Sequence, residues 1–574
     1  MSYLNFKSEY DCFPKTTIKN HKAFRGYDEI YHELNSKMNN RCVVVFDYYP
    51  GVDEEEVYEL IKRFNFSLEI NMHDIFKDGK TMTEQMKYNL TDDRVFGKMY
   101  YGNLVDFIDE EKLEEAKNKV KEHHGSTIIY GVGAGLVSHG DLYIYFDMAR
   151  WEIQLRYRKS MPNYNCDNYD EDILKKYKRG YFIEWRIADK HKAERFNCFD
   201  YVVDTNKSND PKMISRYTFT ESLKQLAQKP FRTVPYFDPG VWGGQWMKEV
   251  CNLDVNQPNY AWSFDGVPEE NSILFDYDGV TVELPAMDLV LYQPKELLGE
   301  QVYSRFGAEF PIRFDFLDTM EGQNLSLQVH PLTEYIKKNF GMSYTQDESY
   351  YILDAKDDAV VYLGLKEGIQ PNEMISDLES AQRGEIVFDA DKYINKFPAK
   401  KHDHFLIPAG TCHCSGKNAM VLEISATPYI FTFKLWDWQR LGLDGLPRPI
   451  NIEHGKHVIQ WDRTTKWVKE NLVNATYEVK EDGNDCKIEH TGLHELEFIE
   501  TRRYTINNDS LHKTHGTVNM LNLIDGKSAV IEGDFEPFIV HYAETFIIPA
   551  SIKEYSIKPY GCDEVKVLKA YVRS

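Results

Sequence analysis

Gln328 and His330 stand two residues apart in NLSLQVHP, and on a strand that spacing turns both side chains to one face, where they can share a ligand. Glu348 precedes the run SYYILDA. His413 closes LIPAGTCH, in which Pro408-Ala409-Gly410 makes a turn that re-aims the next strand toward the same side. Two imidazoles, one carboxylate and one amide oxygen form a mononuclear site, and zinc suits that set while leaving positions open for a substrate. One Zn2+ per chain is therefore expected on Gln328, His330, Glu348 and His413. Cys412 and Cys414 flank His413, but strand alternation turns both to the opposite face, so they are read as core thiols.

The elements that must carry these residues lie beyond about residue 226. There the chain changes to short strands broken by Gly, Pro, Asn and Asp, the texture of an all-β sandwich or barrel, opened by PYFDPGVWGGQW. The region echoes itself. Leu353-Asp354-Ala355-Lys356 followed by AVVYLG returns as Ile524-Asp525-Gly526-Lys527 followed by AVIEG, and LIPAGTCH returns as IIPASIKE, which implies two similar sheet modules. In the second copy Asn519 stands at the place of Glu348 and Glu554 at that of His413, so the ligand set survives in one copy only. His512 and His515 of the second copy are read as surface residues.

The first 225 residues read as α/β. Cys42 to Tyr48 is a buried-type strand, Tyr49-Pro50-Gly51 a turn, and Asp53 with Glu56 a capping box for the next helix. This strand, turn and helix, with YIYFDMARWEIQLRYRK further on, loosely resembles nucleoside kinases of the P-loop class. The resemblance is degenerate: YYPGVDEEE stands where Gly-Lys-Ser/Thr would cradle phosphates, and its acids repel a triphosphate. Gly131-x-Gly133-x-Gly135 lacks the third glycine spacing and the following helix of a dinucleotide site. The expected division is 1–225 α/β, 226–465 the metal-bearing module and 466–574 the second module.

The 574 residues include 68 Lys and Arg against 91 Asp and Glu, a formal net charge of −23 that repels nucleic acid and anionic membrane surfaces. The start MSYLNFKSEYDCF has no apolar signal region, and the longest apolar stretch, IIYGVGAGLV, is about half a membrane span. A soluble cytoplasmic protein is expected. Nine cysteines without a CxxC pair exclude a disulfide framework and a cysteine zinc ribbon.

NLSLQVHP, DESYYILDAKDDAVVYLG, LIPAGTCH, MVLEI, LWDWQR and VWGGQW, in order over 226–574, resemble type I mannose-6-phosphate isomerases. The resemblance implies two cupin-like, jelly-roll modules and zinc on Gln328, His330, Glu348 and His413. It also implies interconversion of mannose 6-phosphate and fructose 6-phosphate, or of a related sugar or sugar phosphate, through a cis-enediol. Glu423 and Asp437 carry over as acid/base or positioning groups, and Lys434, Arg440 and Ser326 as contacts to substrate oxygens or phosphate. The chain departs from the family pattern at Asp315 and Gln346, where lysines are usual, at Lys434, where an arginine is usual, and at Leu332 and Thr333, where two Asp are usual. These departures leave a second reading, a metal-holding sugar sensor or structural protein without turnover. A third is an N-terminal kinase that supplies the sugar phosphate.

Overall fold

The run Val43–Tyr48, apolar but for Asp47, becomes an inner strand of a seven-stranded sheet in the computed structural model, which describes residues 2–39, 41–426, 431–443, 445, 448–481 and 486–573. Across that sheet the order is Ala23–Arg25, Lys212–Ser215, Tyr201–Asp204, Leu142–Asp147, Val43–Tyr48, Thr127–Gly131, Leu68–Asn71. The last five of these strands run parallel. From the central strand the chain goes first to one side and then to the other, so the carboxyl end of Val43–Tyr48 is a topological switch point.

The chain forms two compact units, one of Lys15–Leu226 with Ser272–Gln293, the other of Met1–Pro14, Ala227–Asn271 and Pro294–Ser574. The two units are interleaved along the sequence. In the β unit, residues 2–13 are held by buried charge: Arg232 Nη1 lies 2.6 Å from Glu544 Oε1 and donates to Asp11 O at 2.9 Å. The Asp11 amide donates to the same Glu544 oxygen at 2.7 Å, and the Tyr10 hydroxyl bonds Asp265. In the α/β unit, Ser272–Tyr277 and Val280–Pro285 form a three-stranded sheet with Lys15–Thr17.

The β unit holds two modules of one topology. In the first, six strands run His404–Ile407, Glu348–Ala355, Ala419–Ser425, Arg313–Asp318, Trp262–Gly266, Tyr236–Asp238. In the second they run Thr545–Ile548, Asn519–Asp525, Val565–Val572, Ile499–Ile506, Lys487–Gly492, Tyr477–Val479, with the same pairings. The register shift between Ile352 and Asp354 recurs between Leu523 and Asp525, so even the irregularity is shared. A second sheet completes each module: five strands in the first, including Leu327–Val329, His413–Ser415 and Phe433–Trp436, and four in the second. The second module's core packs Tyr504, Leu521, Leu523 and Val567 of one sheet against Ala529, Ile531 and Ile557 of the other.

The β region is mostly sheet, yet it is not all β. Thr333–Phe340, Pro371–Gln382 and Thr465–Asn471 are helices. Each follows a strand-rich stretch whose turn residues mask the helical period, and Pro371 is a helix start rather than a strand break. His512, expected at the surface, is fully buried in the strand Ser510–Lys513, its ring stacked on Tyr555. Cys412 and Cys414 are buried thiols. No helix among the described residues is long and apolar enough to cross a membrane.

Candidate metal centre

Three strands bring the ligands together. Gln328 and His413 are directly opposed on neighbouring antiparallel strands, and Gln328 is opposed on its other side by Lys434. Directly opposed residues share a face, so His413, Gln328 and Lys434 form one row across the sheet. Glu348 opens the strand of the other sheet and reaches into the same space: its Oε1 is 2.7 Å from His413 Nε2 and its Oε2 is 3.1 Å from His330 Nε2. The Gln328 amide lies 3.2 Å from His413 Nε2. A half-turn of that amide exchanges its nitrogen for its oxygen.

The second nitrogen of each ring is spent on the backbone. His330 Nδ1 donates to Phe431 O and His413 Nδ1 to Thr411 O, both at 2.8 Å, which fixes the tautomers and leaves both Nε2 atoms toward Glu348. His330 Nε2 and Glu348 Oε1 are buried, and although they lie 3.1 and 2.7 Å from groups of this cluster neither makes a well-aligned hydrogen bond; ligand atoms of His330, Glu348 and His413 all lie within 4.8 Å of one another. Orphaned buried atoms are costly unless something satisfies them. Two imidazole nitrogens, a carboxylate and an amide at these separations fit zinc, whose ligands sit about 2.0–2.2 Å from the ion. Burial raises the Glu348 pKa, but the neighbouring His330 and His413 outweigh it and hold the carboxyl well below its ordinary value.

The turn after Ile407 ties the ligand segments to one another. Gly410 donates to His330 O at 2.9 Å, and Ala409 donates to the carboxylate of Asp347, beside Glu348, at 2.7 Å. Gly410 has φ +88°, and a Cβ there would meet Gln460 Cγ at 2.6 Å and Val458 O at 2.8 Å, so this position requires glycine. Gln346 is a residue whose role sequence reasoning missed. Its Nε2 donates to Glu348 Oε2 at 3.0 Å while its Oε1 accepts from the Phe431 amide at 2.9 Å.

The remaining candidates separate. Glu423 lies beside the ligands, 3.5 Å from Gln346 Nε2, and burial together with Glu348 and Asp315 pushes its carboxyl well above the ordinary value. Asp315 pairs with Arg313 at 2.8 Å and is raised to about 6 by burial. Asp437 forms a cluster with Ser326 Oγ at 2.9 Å, Arg440 Nη2 at 2.5 Å and Arg448 Nη1 at 2.9 Å. Arg440 also donates to Asn324 O at 2.6 Å. Ser326, Arg440 and Arg448 thus all face the Asp437 carboxylate.

In the second module the ligand positions are Asn519 and Glu554. Asn519 is buried, and Glu554 is exposed and 3.4 Å from Lys513. A surface ion pair stands where the first module gathers its histidines. In the α/β unit, a cavity of about 1890 Å3 lies at the carboxyl ends of the sheet, lined by Asp53, Glu54, His73, Arg156 and Arg179 among others. Near the switch point buried ionisable groups face one another. Asp47 accepts from Gly133 and Gly135 at 2.8 and 3.1 Å and faces His191 at 2.7 Å. Lys192 lies between Asp147 and Asp288, at 3.1 and 2.5 Å.

A family described as "Domain of unknown function (DUF8485)" matches residues 26–228. The chain is similar over part of its length to mannose-6-phosphate isomerases of Bacillus subtilis. It is 27% identical over 252 residues to the probable enzyme GmuF, covering 44% of this chain and 73% of that protein. It is 23% identical over 345 residues to ManA, covering 60% and 96%. Among solved structures, the mannose 6-phosphate isomerase from Bacillus subtilis aligns with a TM-score of 0.49 at 17% identity over 60% of this chain and all of the other. A zinc-bound mannose 6-phosphate isomerase aligns with a TM-score of 0.46 at 15% identity, again over 60% of this chain.

Proposed function

We propose that the β unit is a zinc-dependent aldose–ketose isomerase acting on mannose 6-phosphate and fructose 6-phosphate, or on a related sugar or sugar phosphate, through a cis-enediol. The observation that carries this reading is the meeting of His330, Glu348 and His413 in one buried cluster. The similarity to mannose-6-phosphate isomerases supplies the substrate class. A single zinc held by His330, His413, Glu348 and the Gln328 amide would supply a Lewis acid for neighbouring substrate oxygens.

The chain's own residues do the rest. Phe431 O and Thr411 O hold the two imidazoles in single tautomers, and Gln346 holds Glu348 and Glu423 side by side. Isomerisation moves one proton between C1 and C2, and Glu423 is the carboxyl we assign to that transfer. Lys434, in the row with Gln328 and His413, is assigned to a substrate oxygen, and the Asp437 cluster positions the strand end beside it.

One observation favours the second reading, a metal-holding sugar-binding protein without turnover: Ser326 and Arg440 are already engaged, which leaves fewer cations for a phosphate. Protein stripped with a chelator is expected to lose mannose 6-phosphate isomerisation and regain it with zinc, and activity persisting without metal would reject the mechanism. Calorimetry over aldoses and ketoses that finds binding without product would favour the sensor.

The α/β unit is read as a non-catalytic companion in a soluble cytoplasmic protein, a reading supported by Asp47 and Lys192 being already engaged by buried partners. Titration of the full chain with ATP is expected to show no binding, and saturable binding would restore the kinase reading.

A further inference from the structure

Arg463 lies outside every motif that carries the metal site, on the stretch between the helix Ile452–Gly455 and the helix Thr465–Asn471. Its guanidinium nonetheless closes on the turn that delivers His413. Arg463 Nη1 is 2.7 Å from both Pro408 O and Ala409 O and 2.5 Å from Thr411 Oγ1. The hydroxyl it touches donates in turn to Pro408 O at 2.7 Å. One cation thus gathers two carbonyls and a hydroxyl of a buried turn.

That turn sets the orientation of His413. Thr411 O, on the residue that Arg463 grips, is the acceptor for His413 Nδ1, so its place decides which ring nitrogen carries the proton and where Nε2 points. The backbone around Arg463 is itself fixed: Leu365 N donates to Arg463 O at 3.0 Å, Arg463 N donates to Gln460 O at 3.2 Å, and Gln460 N donates to Gly410 O at 2.9 Å. The 460–463 stretch therefore holds the turn through a main-chain bond at Gly410 and through the Arg463 side chain. All three contacts come from the one nitrogen Nη1, so an ammonium at this position reproduces them in part, on a more flexible stem.

We propose that Arg463 is a positioning residue of the metal centre, acting through the Pro408–Thr411 turn to hold His413 in the tautomer and direction that a metal requires. This rests on the reading of His330, Glu348 and His413 as ligands, and it adds that their affinity for metal is set from a residue that touches none of them.

The test is zinc affinity, measured by competition against a chromophoric chelator, for the full-length wild type, Arg463→Ala, Arg463→Lys and Thr411→Val. Loss of a partner that orients a ligand lowers metal affinity about 10–100-fold. Arg463→Ala is expected to fall in that range, Arg463→Lys to recover part of the loss, and Thr411→Val, which keeps the carbonyl to His413, to fall by less than Arg463→Ala. Should Arg463→Ala not fold, Arg463→Lys and Thr411→Val carry the comparison. In metal-free protein, nitrogen-15 spectra of the histidine rings are expected to show one His413 tautomer in the wild type and a mixture in Arg463→Lys or Arg463→Ala. Folded variants with wild-type zinc affinity and an unchanged His413 tautomer would overturn the proposal. A wild type that binds no zinc while its His413 tautomer still shifts in the variants would overturn the metal reading and leave the positioning contact standing.

Discussion

Lys569 occupies in the second module the ladder position that Glu423 occupies in the first. Glu423 opposes Tyr350, two residues into the strand that begins at Glu348, and Lys569 opposes Leu521, two residues into the strand that begins at Asn519. Their other neighbours are likewise exchanged in sign, Asp315 for the first and Arg502 for the second. The duplicated fold has kept a buried ionisable group at one place and reversed its charge.

Lys569 is 2% exposed, and its ammonium donates to Lys513 O at 2.9 Å. Burial pulls its pKa from 10.5 down to about 8. Between those values the unfolded chain binds more protons than the folded one, so this residue makes stability rise with pH from about 8 to 10.5 and imposes its full cost below 8. At about 1.4 kcal/mol per pH unit that cost is about 3 kcal/mol. Lys569→Met is therefore expected to raise the thermal midpoint at pH 7, with the gain shrinking as the pH rises from about 8 to 10.5. A lower midpoint at neutral pH would show that the charge is compensated.

Asp437 holds two guanidiniums and a hydroxyl with a side chain 4% exposed. Asp437→Asn removes the carboxylate that faces Arg440 and Arg448, and breaking a buried pair costs about 3–5 kcal/mol. The expected result is a lower denaturant midpoint, with turnover falling along with it. Unchanged stability with lost turnover would return Asp437 to the acid/base role.

Gln346→Leu removes the bridge between Glu348 and the Phe431 amide at nearly constant volume. Zinc affinity is expected to drop about tenfold, as for other partners that orient a ligand, while Gln346→Glu drops it further by setting a second carboxylate against Glu348. Equal zinc binding in both variants, read by chelator competition, would mean that Gln346 does not orient the ligand.

Arg232 joins Glu544 to the backbone of Asp11 inside the β unit. Arg232→Met is expected to destabilise that unit by about 3–5 kcal/mol, because Glu544 is left buried without its partner. Limited proteolysis should then cut within residues 2–13 faster than in the wild type. A cleavage rate equal to the wild type would remove the clamp from the account.

The meeting of His330, Glu348 and His413 was legible because strand spacing, a glycine turn and the internal repeat all act over short stretches of chain. Gln328 and His330 follow from a two-residue period, and the sign of the second module's loss from Asn519 and Glu554. What was illegible depends on distant pairing. His512 looks like a surface residue until Tyr504 and Tyr555 close on it, and Arg440 looks free until Asp437 is seen beside it. The helices beyond residue 226 were hidden by flanking turn residues, and Arg463 has no local signal because its three acceptors lie over fifty residues away. The packing of residues 2–13 with strands beyond 226 could not be read from composition, since it rests on one buried arginine.

The most direct measurement is the zinc content and position in crystals of the full chain, by anomalous scattering at the zinc edge. The account predicts one ion per chain, about 2.0–2.2 Å from His330 Nε2, His413 Nε2 and a Glu348 oxygen, with the Gln328 oxygen turned toward it. Zinc-soaked crystals with no ion at these atoms, or with His330 and His413 directed apart, would contradict it.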